Sequence, residues 1–288
     1  MLNLLLAILG FLVPVQAPAP ALGSATFKSN ADLQKILTEK GSAAGAPDSF
    51  SAPVVAGDHY QINLVRRTKG ASALAHDVGT EIHSVVDGSA TFVTGGTIVR
   101  PAGGGRGGGT VSNGESRHVS AGDIVLVPPR TPHWYQTVDG TVTYLEIRFD
   151  VGAPPNGPAV YHAHGDLWSA LATKGKAADA PLMFSTPAAS GPKYQANVVR
   201  RTKAQGGTAH AEGTEVHHIL EGSGTFVSGG SLVRPPQPGA PASIMGGETR
   251  HVSKGDVVFV PAGMPNWYKD LDSTITYLEV RFEVAAAK

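Results

Sequence analysis

The chain contains no cysteine. That excludes disulfides, thiolate metal sites and cysteine nucleophiles, and it excludes lipid attachment through an N-terminal cysteine. There is no excess charge of either sign: 23 lysines and arginines balance 23 aspartates and glutamates over 288 residues. Nucleic acid and anionic membrane surfaces need a clustered basic face, so neither is expected as a partner. The apolar run from Leu2 to Val15 is too short for a comfortable membrane span. Small residues and prolines follow it, and Ala19-Pro20-Ala21 has the small-residue spacing of a signal-peptidase site. The expectation is a signal peptide over residues 1–21 and a mature chain from Leu22. That chain would be periplasmic or secreted, with no membrane association after cleavage. The glycine-rich tract Gly103 to Gly109, broken only by Arg106, lacks the following Gly-Lys-Ser/Thr of a phosphate-binding loop. It reads as a flexible loop tip, replaced further on by Pro235-Pro236-Gln237-Pro238-Gly239.

What is present is a repeat. Tyr60-Gln61-Ile62-Asn63-Leu64-Val65-Arg66-Arg67-Thr68-Lys69 returns as Tyr194-Gln195-Ala196-Asn197-Val198-Val199-Arg200-Arg201-Thr202-Lys203. Gly79-Thr80-Glu81-Ile82-His83 returns as Gly213-Thr214-Glu215-Val216-His217, and Arg117-His118-Val119-Ser120 as Arg250-His251-Val252-Ser253. His76 and His210 are 134 positions apart, Trp134 and Trp267 133, so the loop between lost one residue. Each copy, at about 130 residues, has the size of an independent domain rather than a solenoid repeat. The expected units are 22–152 and 153–288.

Each unit opens with a helical pattern. Ser29 or Asn30 is placed to cap a helix carrying Leu33, Ile36 and Leu37 and stopped by Gly41. Asp166 is placed to cap one carrying Leu167, Trp168 and Leu171. Strand patterns follow. Leu145, Ile147 and Phe149 alternate with Tyr144, Glu146 and Arg148, giving an apolar and a polar face. Ile124-Val125-Leu126-Val127 and Val257-Val258-Phe259-Val260 are continuous apolar runs, which fits strands buried on both sides. Turn signals such as Asp87-Gly88 and Asp139-Gly140 recur at short intervals, as in an all-β sandwich or barrel.

Two stretches per unit carry chemistry. The first is His76-Asp77-Val78-Gly79-Thr80-Glu81-Ile82-His83, with Gly88 to follow; the second is Gly122-Asp123-Ile124-Val125-Leu126-Val127-Pro128, followed by Pro132-His133-Trp134. These resemble the two cupin motifs: a His-x-His-x4-Glu-x6-Gly segment paired with a Gly-x5-Pro segment ending in histidine. The second unit matches through His210, Glu215, Gly222, Gly255 and Pro261. The resemblance covers nearly all of both units. It implies an all-β fold, two tandem cupin jelly-roll barrels with short flanking helices, packed on each other or, as a homo-oligomer, on a second chain through outer strands.

The resemblance also implies a metal site of histidines and one glutamate. Leu74 and Thr208 stand where the first histidine of the motif is expected, and an extra histidine, His83 or His217, falls two residues after the glutamate. On a strand, residues two apart face the same side, so His83 should point the way Glu81 does. His83 is therefore a replacement ligand or a catalytic acid/base. His76, Glu81, His83 and His133 are the candidate ligands of the first unit, and His210, Glu215 and His217 those of the second, where Asn266 replaces the last histidine. Imidazole and carboxylate suit a divalent transition metal: iron, manganese, nickel or zinc.

The expected function is a metal-dependent enzyme acting on a small polar molecule, leaning to an oxygenase. The alternatives are an isomerase, a decarboxylase, or a non-catalytic bicupin that binds a sugar or another small ligand. His118 and His251 are read as strand-end packing, Arg66/Arg67 and Arg200/Arg201 as surface or inter-domain pairing, and Trp134-Tyr135 as half-buried core.

Overall fold

The structure, a computed structural model, describes residues 25–102, 108–154 and 157–284. The expected signal peptide and the centre of the glycine tract lie outside the described residues. Within them, no helix is long and apolar enough to cross a membrane.

The first half runs β1 (Thr26–Lys28), α1 (Asn30–Gly41), β2 (Ser49–Gly57), β3 (Tyr60–Arg67), β4 (Thr80–Thr94), β5 (Thr97–Val99), β6 (Thr110–Ser112), β7 (Glu115–Ser120), β8 (Ile124–Val127) and β9 (His133–Phe149). The second runs β10 (Val160–His162), α2 (His164–Gly175), β11 (Met183–Gly191), β12 (Tyr194–Arg201), β13 (Thr214–Glu221), β14 (Ser223–Ser228), β15 (Ser231–Val233), β16 (Ser243–Met245), β17 (Glu248–Ser253), β18 (Val257–Val260), β19 (Asn266–Leu271) and β20 (Ile275–Phe282). The fold is all-β with two short flanking helices, as the strand patterns predicted.

The two barrels share one plan. The main sheet of the first is ordered β10-β8-β4-β9-β3-β2, with β7 also paired to β4; that of the second is β1-β18-β13-β20-β12-β11. The long strands β4 and β9 serve both walls of the first barrel. The start of β4 pairs with β8 and the end of β9; its second part pairs with β7 and the start of β9. The bend falls at Gly88, which has φ +74° and would bring a Cβ to 1.9 Å from the Thr141 carbonyl oxygen. Only glycine tolerates that approach in that conformation, which explains the glycine that closes the first motif. In the second barrel the same bend, at Gly222, separates β13 from β14.

Each half also gives its leading strand to the other. β1 pairs with β18 of the second barrel, and β10 pairs with β8 of the first. The expected units 22–152 and 153–288 are thus laced together by reciprocal edge strands. The helices follow the same exchange. The Asn30 N–H donates to Asp256 Oδ1 at 2.7 Å and the His164 N–H to Asp123 Oδ1 at 2.8 Å. This alters one expectation. Ser29 caps α1 as predicted, its side chain accepting from the Asp32 N–H, but α2 begins at His164, with Asp166 in the first turn rather than at the cap. The carboxylate that receives its first N–H comes from the other barrel.

The apolar and polar faces of the strands are now placed. Ile62, Leu64, Ile82, Ile124, Leu126, Leu145, Ile147 and Phe149 belong to one core with Val198, Val216, Val257, Phe259, Leu278, Val280 and Phe282. That core lies between the barrels and is closed by Leu33, Leu37, Leu167 and Leu171 of the helices. Phe149 and Phe282 stack at its centre, 4.7 Å apart and 4° from parallel. The opposite faces, including Val65, Val85, Phe92, Val125, Tyr135 and Tyr144, form a separate interior in the first barrel, matched by a third cluster in the second. Because the apolar face of β9 is used between barrels, its polar face, Glu146 and Arg148, looks into a barrel.

Candidate metal centre

Glu81 and His83 sit at the start of β4, two residues apart, both 2% exposed. The register sets Glu81 opposite Arg148 and His83 opposite Glu146 on β9. His76 precedes β4 in a loop held by the Arg130 N–H, which donates to the His76 carbonyl at 2.7 Å. His133 opens β9. Its backbone exchanges both hydrogen bonds with Leu74, at 2.8 and 3.1 Å, so the residue at the missing first-histidine position anchors the loop that carries His76.

These elements bring three imidazoles to one carboxylate. His76 Nε2 lies 3.0 Å from Glu81 Oε1; His83 Nε2 and His133 Nε2 lie 3.2 and 3.4 Å from Glu81 Oε2. His133 Nδ1 is 3.0 Å from the Thr131 carbonyl. A carbonyl only accepts, so Nδ1 carries the proton and the Nε2 lone pair faces Glu81, the orientation that a carbonyl bonded to the other ring nitrogen imposes on metal-binding histidines. His83 Nδ1 meets the Tyr135 hydroxyl at 3.2 Å, and its ring stacks 4.7 Å from Tyr144.

Burial pushes the His133 ring down to about 4, against the pull of Glu81. It is neutral at physiological pH, the form that ligates metal. Burial would raise the Glu81 carboxyl, but the close His76 and His83 nitrogens hold it well below the ordinary carboxylate value. Burial also raises Tyr135 and Tyr144, so both phenols are neutral.

The donor set fits a divalent cation. His76, Glu81 and His133 each offer one atom within 4.8 Å of the others. Glu81 Oε1 is buried and accepts no well-directed hydrogen bond, despite the nearby His76 nitrogen. A second set, Glu81, His83 and Glu146, meets the same 4.8 Å limit. The four candidates of the first unit therefore converge, with His83 in a different set from His76 and His133.

The second barrel differs at the carboxylate. His210 Nε2 and His217 Nε2 lie 3.3 and 3.1 Å from the two oxygens of Glu215. At the place of His133, the Asn266 amide donates to Glu215 Oε2 at 3.3 Å. Arg281 Nε lies 3.4 Å from Glu215 Oε1, while its Nη2 donates to Glu279 at 3.0 Å. The three-donor set found among the described residues here is Glu215, His217 and Glu279, without His210. Burial would raise Glu215, but the His217 hydrogen bond and the charges of His217, His210 and Arg281 lower it. A cavity of about 340 Å³ opens onto these residues, lined also by Arg201, Asn197 and Gln205.

Glu146 and Arg148, with Glu279 and Arg281, were not singled out from sequence as site residues. The signal available was their place on the polar face of an alternating strand. Arg67 and Arg201 also turn inward: each donates through Nε to a tyrosine hydroxyl at 2.9 Å, Tyr144 or Tyr277, and lies 5.1 or 5.2 Å over a second ring, Tyr135 or Tyr268. Arg66 instead bonds Gln34 of α1, and Arg200 bonds Glu221. Trp134 is half-buried, as expected; Tyr135 is buried in the barrel. His118 and His251 do not pack at strand ends. They are exposed, 3.8 and 2.7 Å from Asp139 and Asp272, because their side of β7 and β17 faces solvent.

No protein-family model matches the sequence, and no curated protein is detectably similar to it. Solved structures are similar in fold. A salicylate 1,2-dioxygenase from Pseudaminobacter salicylatoxidans is 16% identical, with 96% of this chain and 88% of that one covered and a TM-score of 0.60. A cupin 2 conserved barrel domain protein from Leptotrichia buccalis is 11% identical, covering 85% and 94%, with a TM-score of 0.53. An oxalate decarboxylase from Lactobacillus farciminis, in a formate complex, is 13% identical, covering 92% and 88%, with a TM-score of 0.50. The fold is that of a cupin. It is, more narrowly, a bicupin, with two jelly-roll barrels in one chain. Identities this low speak for the fold, and one fold hosts many activities.

Proposed function

We propose that this bicupin is an exported, metal-dependent enzyme acting on a small organic acid, with its reaction centre in the first barrel. The observation that carries the reading is the convergence of His76, Glu81 and His133 in one barrel, with the neutral His133 ring facing Glu81 Oε2 and the buried Oε1 facing His76. Two histidines and one carboxylate hold a divalent ion while leaving coordination positions for substrate, and the bound ion would supply Lewis-acid or oxygen-activating chemistry.

The remaining residues bind and orient. A crevice of about 500 Å³ reaches His76 and is lined by Arg148, Gln61, His59 and Asp77. Arg148 Nη1 stands 3.3 Å from the His76 ring and 3.9 Å from Glu81. It is the cation a substrate carboxylate would meet beside the metal ligands, and guanidinium pairs with carboxylate in a directed way. His83, its Nδ1 at the Tyr135 hydroxyl, presents Nε2 to Glu81, where it serves either as a further ligand or, with no ion on it, as a proton carrier. A single-residue variant of the salicylate dioxygenase similar in fold binds gentisate, an organic acid, which supports the leaning to an oxygenase; the likeness to an oxalate decarboxylase keeps a decarboxylase, beside an isomerase, as the alternative.

The test is metal analysis of protein purified without chelator or nickel resin, followed by oxygen-uptake and product assays against a panel of aromatic and short dicarboxylic acids. Metal in the preparation, lost in His133→Ala together with turnover of any such acid, is expected. Metal-free protein that still binds an acid tightly would favour the second reading, a non-catalytic binding bicupin. That reading draws on the second barrel, where Asn266 and Arg281 close on Glu215 above an open cavity.

A further inference from the structure

In the first barrel, two sets of ligand atoms share one carboxylate. The geometry points to a second cation subsite formed by Glu81, His83 and Glu146, adjoining the His76–Glu81–His133 set, so that two divalent ions are bridged by Glu81. This rests on the reading of the first barrel as a metal centre and goes beyond it in number of ions, ligands and metal preference.

Glu146 lies directly across from His83 in the β4–β9 register, so both side chains enter the same interior. Its carboxylate oxygen, a Glu81 oxygen and a His83 nitrogen lie within 4.8 Å of one another. Two carboxylates that close, in a largely buried setting, repel unless a cation or a proton lies between them. No side chain bonds both carboxylates: Arg67 acts on Glu146 through charge alone, Glu146 makes no hydrogen bond or ion pair among the described residues, and Arg148 faces Gln61 and His76, with its Nη1 3.9 Å from Glu81 Oε1.

The second barrel supplies the comparison. Its corresponding set, Glu215, His217 and Glu279, has the same residue types in the same register. There the arginine is turned inward: Arg281 bonds Glu279 at 3.0 Å and approaches Glu215 at 3.4 Å. A guanidinium thus bonds one carboxylate of the pair and approaches the other in the second barrel, whereas in the first Arg148 stands 3.9 Å from Glu81 and makes no ion pair with Glu146.

The chemistry of the two subsites differs. His76, Glu81 and His133 are nitrogen-rich and suit iron, nickel or zinc. Two carboxylates with one imidazole are oxygen-rich and suit a harder ion such as manganese. Carboxylate-bridged pairs of this kind sit roughly 3.5–4 Å apart.

Manganese(II) itself is the probe. Full-length protein is stripped with chelator, dialysed against manganese, and examined by metal counting and electron paramagnetic resonance. The expected result is the spectrum of an exchange-coupled pair. Two ions in different barrels cannot produce it, because the shared core separates them. Glu146→Gln, a near-isosteric change at a half-buried site, should abolish the coupling and lower the count by one ion; Glu279→Gln should leave the coupling unchanged. Circular dichroism confirms that each variant is folded. Uncoupled manganese in wild type, or coupling that persists in Glu146→Gln, overturns the shared-carboxylate site. If the uncoupled ion is nevertheless lost in His133→Ala, the single-metal reading stands without it. If no manganese, iron or zinc binds at all, both fall.

Discussion

His133 Nε2 stands 3.4 Å from Glu81 Oε2, and the amide nitrogen of Asn266 stands 3.3 Å from Glu215 Oε2. The two side chains occupy equivalent places and do opposite things. A neutral imidazole presents a lone pair, whereas the amide donates a hydrogen and closes the carboxylate. Metal occupancy should follow that difference. His133→Ala should lower metal content sharply, and Asn266→Ala should change it little, because a neutral amide is a weak transition-metal ligand. Asn266→His should raise the stoichiometry, since His210 and Glu215 are placed like their counterparts. Metal counting on the three variants decides it. Equal loss from His133→Ala and Asn266→Ala would show that the two barrels are not differentiated at this position.

Asp123 is a structural counterpart to that site. Its oxygens accept from the Ser120 N–H at 2.8 Å, the His164 N–H at 2.8 Å and the Tyr161 hydroxyl at 3.0 Å, so one carboxylate ties a turn of the first barrel to the strand and helix contributed by the second half. Losing a hydrogen bond to a charged acceptor costs roughly 1.5–3 kcal/mol. Asp123→Ala should therefore destabilise by about 3 kcal/mol or more, and Asp256→Ala, which loses the Asn30 and Ser253 bonds, by a comparable amount. Chemical denaturation measures both. A loss below about 0.5 kcal/mol, the level of an ordinary surface change, would show that the exchanged segments are not held through these residues.

Much of this was legible in the sequence. The two copies of Tyr60–Lys69, the alternation of β9 and the spacing around Glu81 were enough to anticipate two β-barrels and the meeting of His76, Glu81, His83 and His133. Which way the alternating strands faced was not legible. A barrel in isolation puts its apolar face inside; here Leu145, Ile147 and Phe149 are used between barrels, and the polar face became the interior. That inversion is why Glu146 and Arg148 are site residues. Their meeting with His83 and Glu81 depends on the register between strands more than fifty residues apart, which local spacing does not encode. The exchanged strands β1 and β10, three residues each, are too short to show a period.

The core between the barrels makes a prediction about cooperativity. Phe149 and Phe282 are both fully buried and stacked on each other across the two halves. Truncating a buried phenylalanine costs about 3–5 kcal/mol, so Phe282→Ala should lower the stability of the first barrel as well as the second. Calorimetry of the wild type should show one transition, shifted down as a unit in the variant. Two separated transitions, with only one moved by Phe282→Ala, would mean that the barrels fold independently and the shared core is a weak contact.

His218 gives the core a pH dependence. It follows His217 on β13 but faces the other way, out of the second barrel and toward the first, where its Nδ1 lies 3.4 Å from the Ser84 hydroxyl. Burial pushes its ring down to about 4, against about 6.5 for an exposed histidine. Between those values the unfolded chain binds a proton that the folded chain refuses, so stability rises with pH across that window. The contribution of the neutral ring is complete above about pH 6.5, declines as pH falls, and is gone below about pH 4. A difference of about 2.5 pH units corresponds to roughly 3 kcal/mol at most. His218→Ser places at this position the residue that the first barrel has at Ser84. It should lower stability at pH 7.5 through lost packing and flatten the slope between pH 6.5 and 4. Denaturant midpoints of wild type and variant, measured at half-unit steps through that range, should therefore converge as pH falls. Parallel curves would show that His218 does not carry the pH dependence and that its ring takes up a proton in the folded chain.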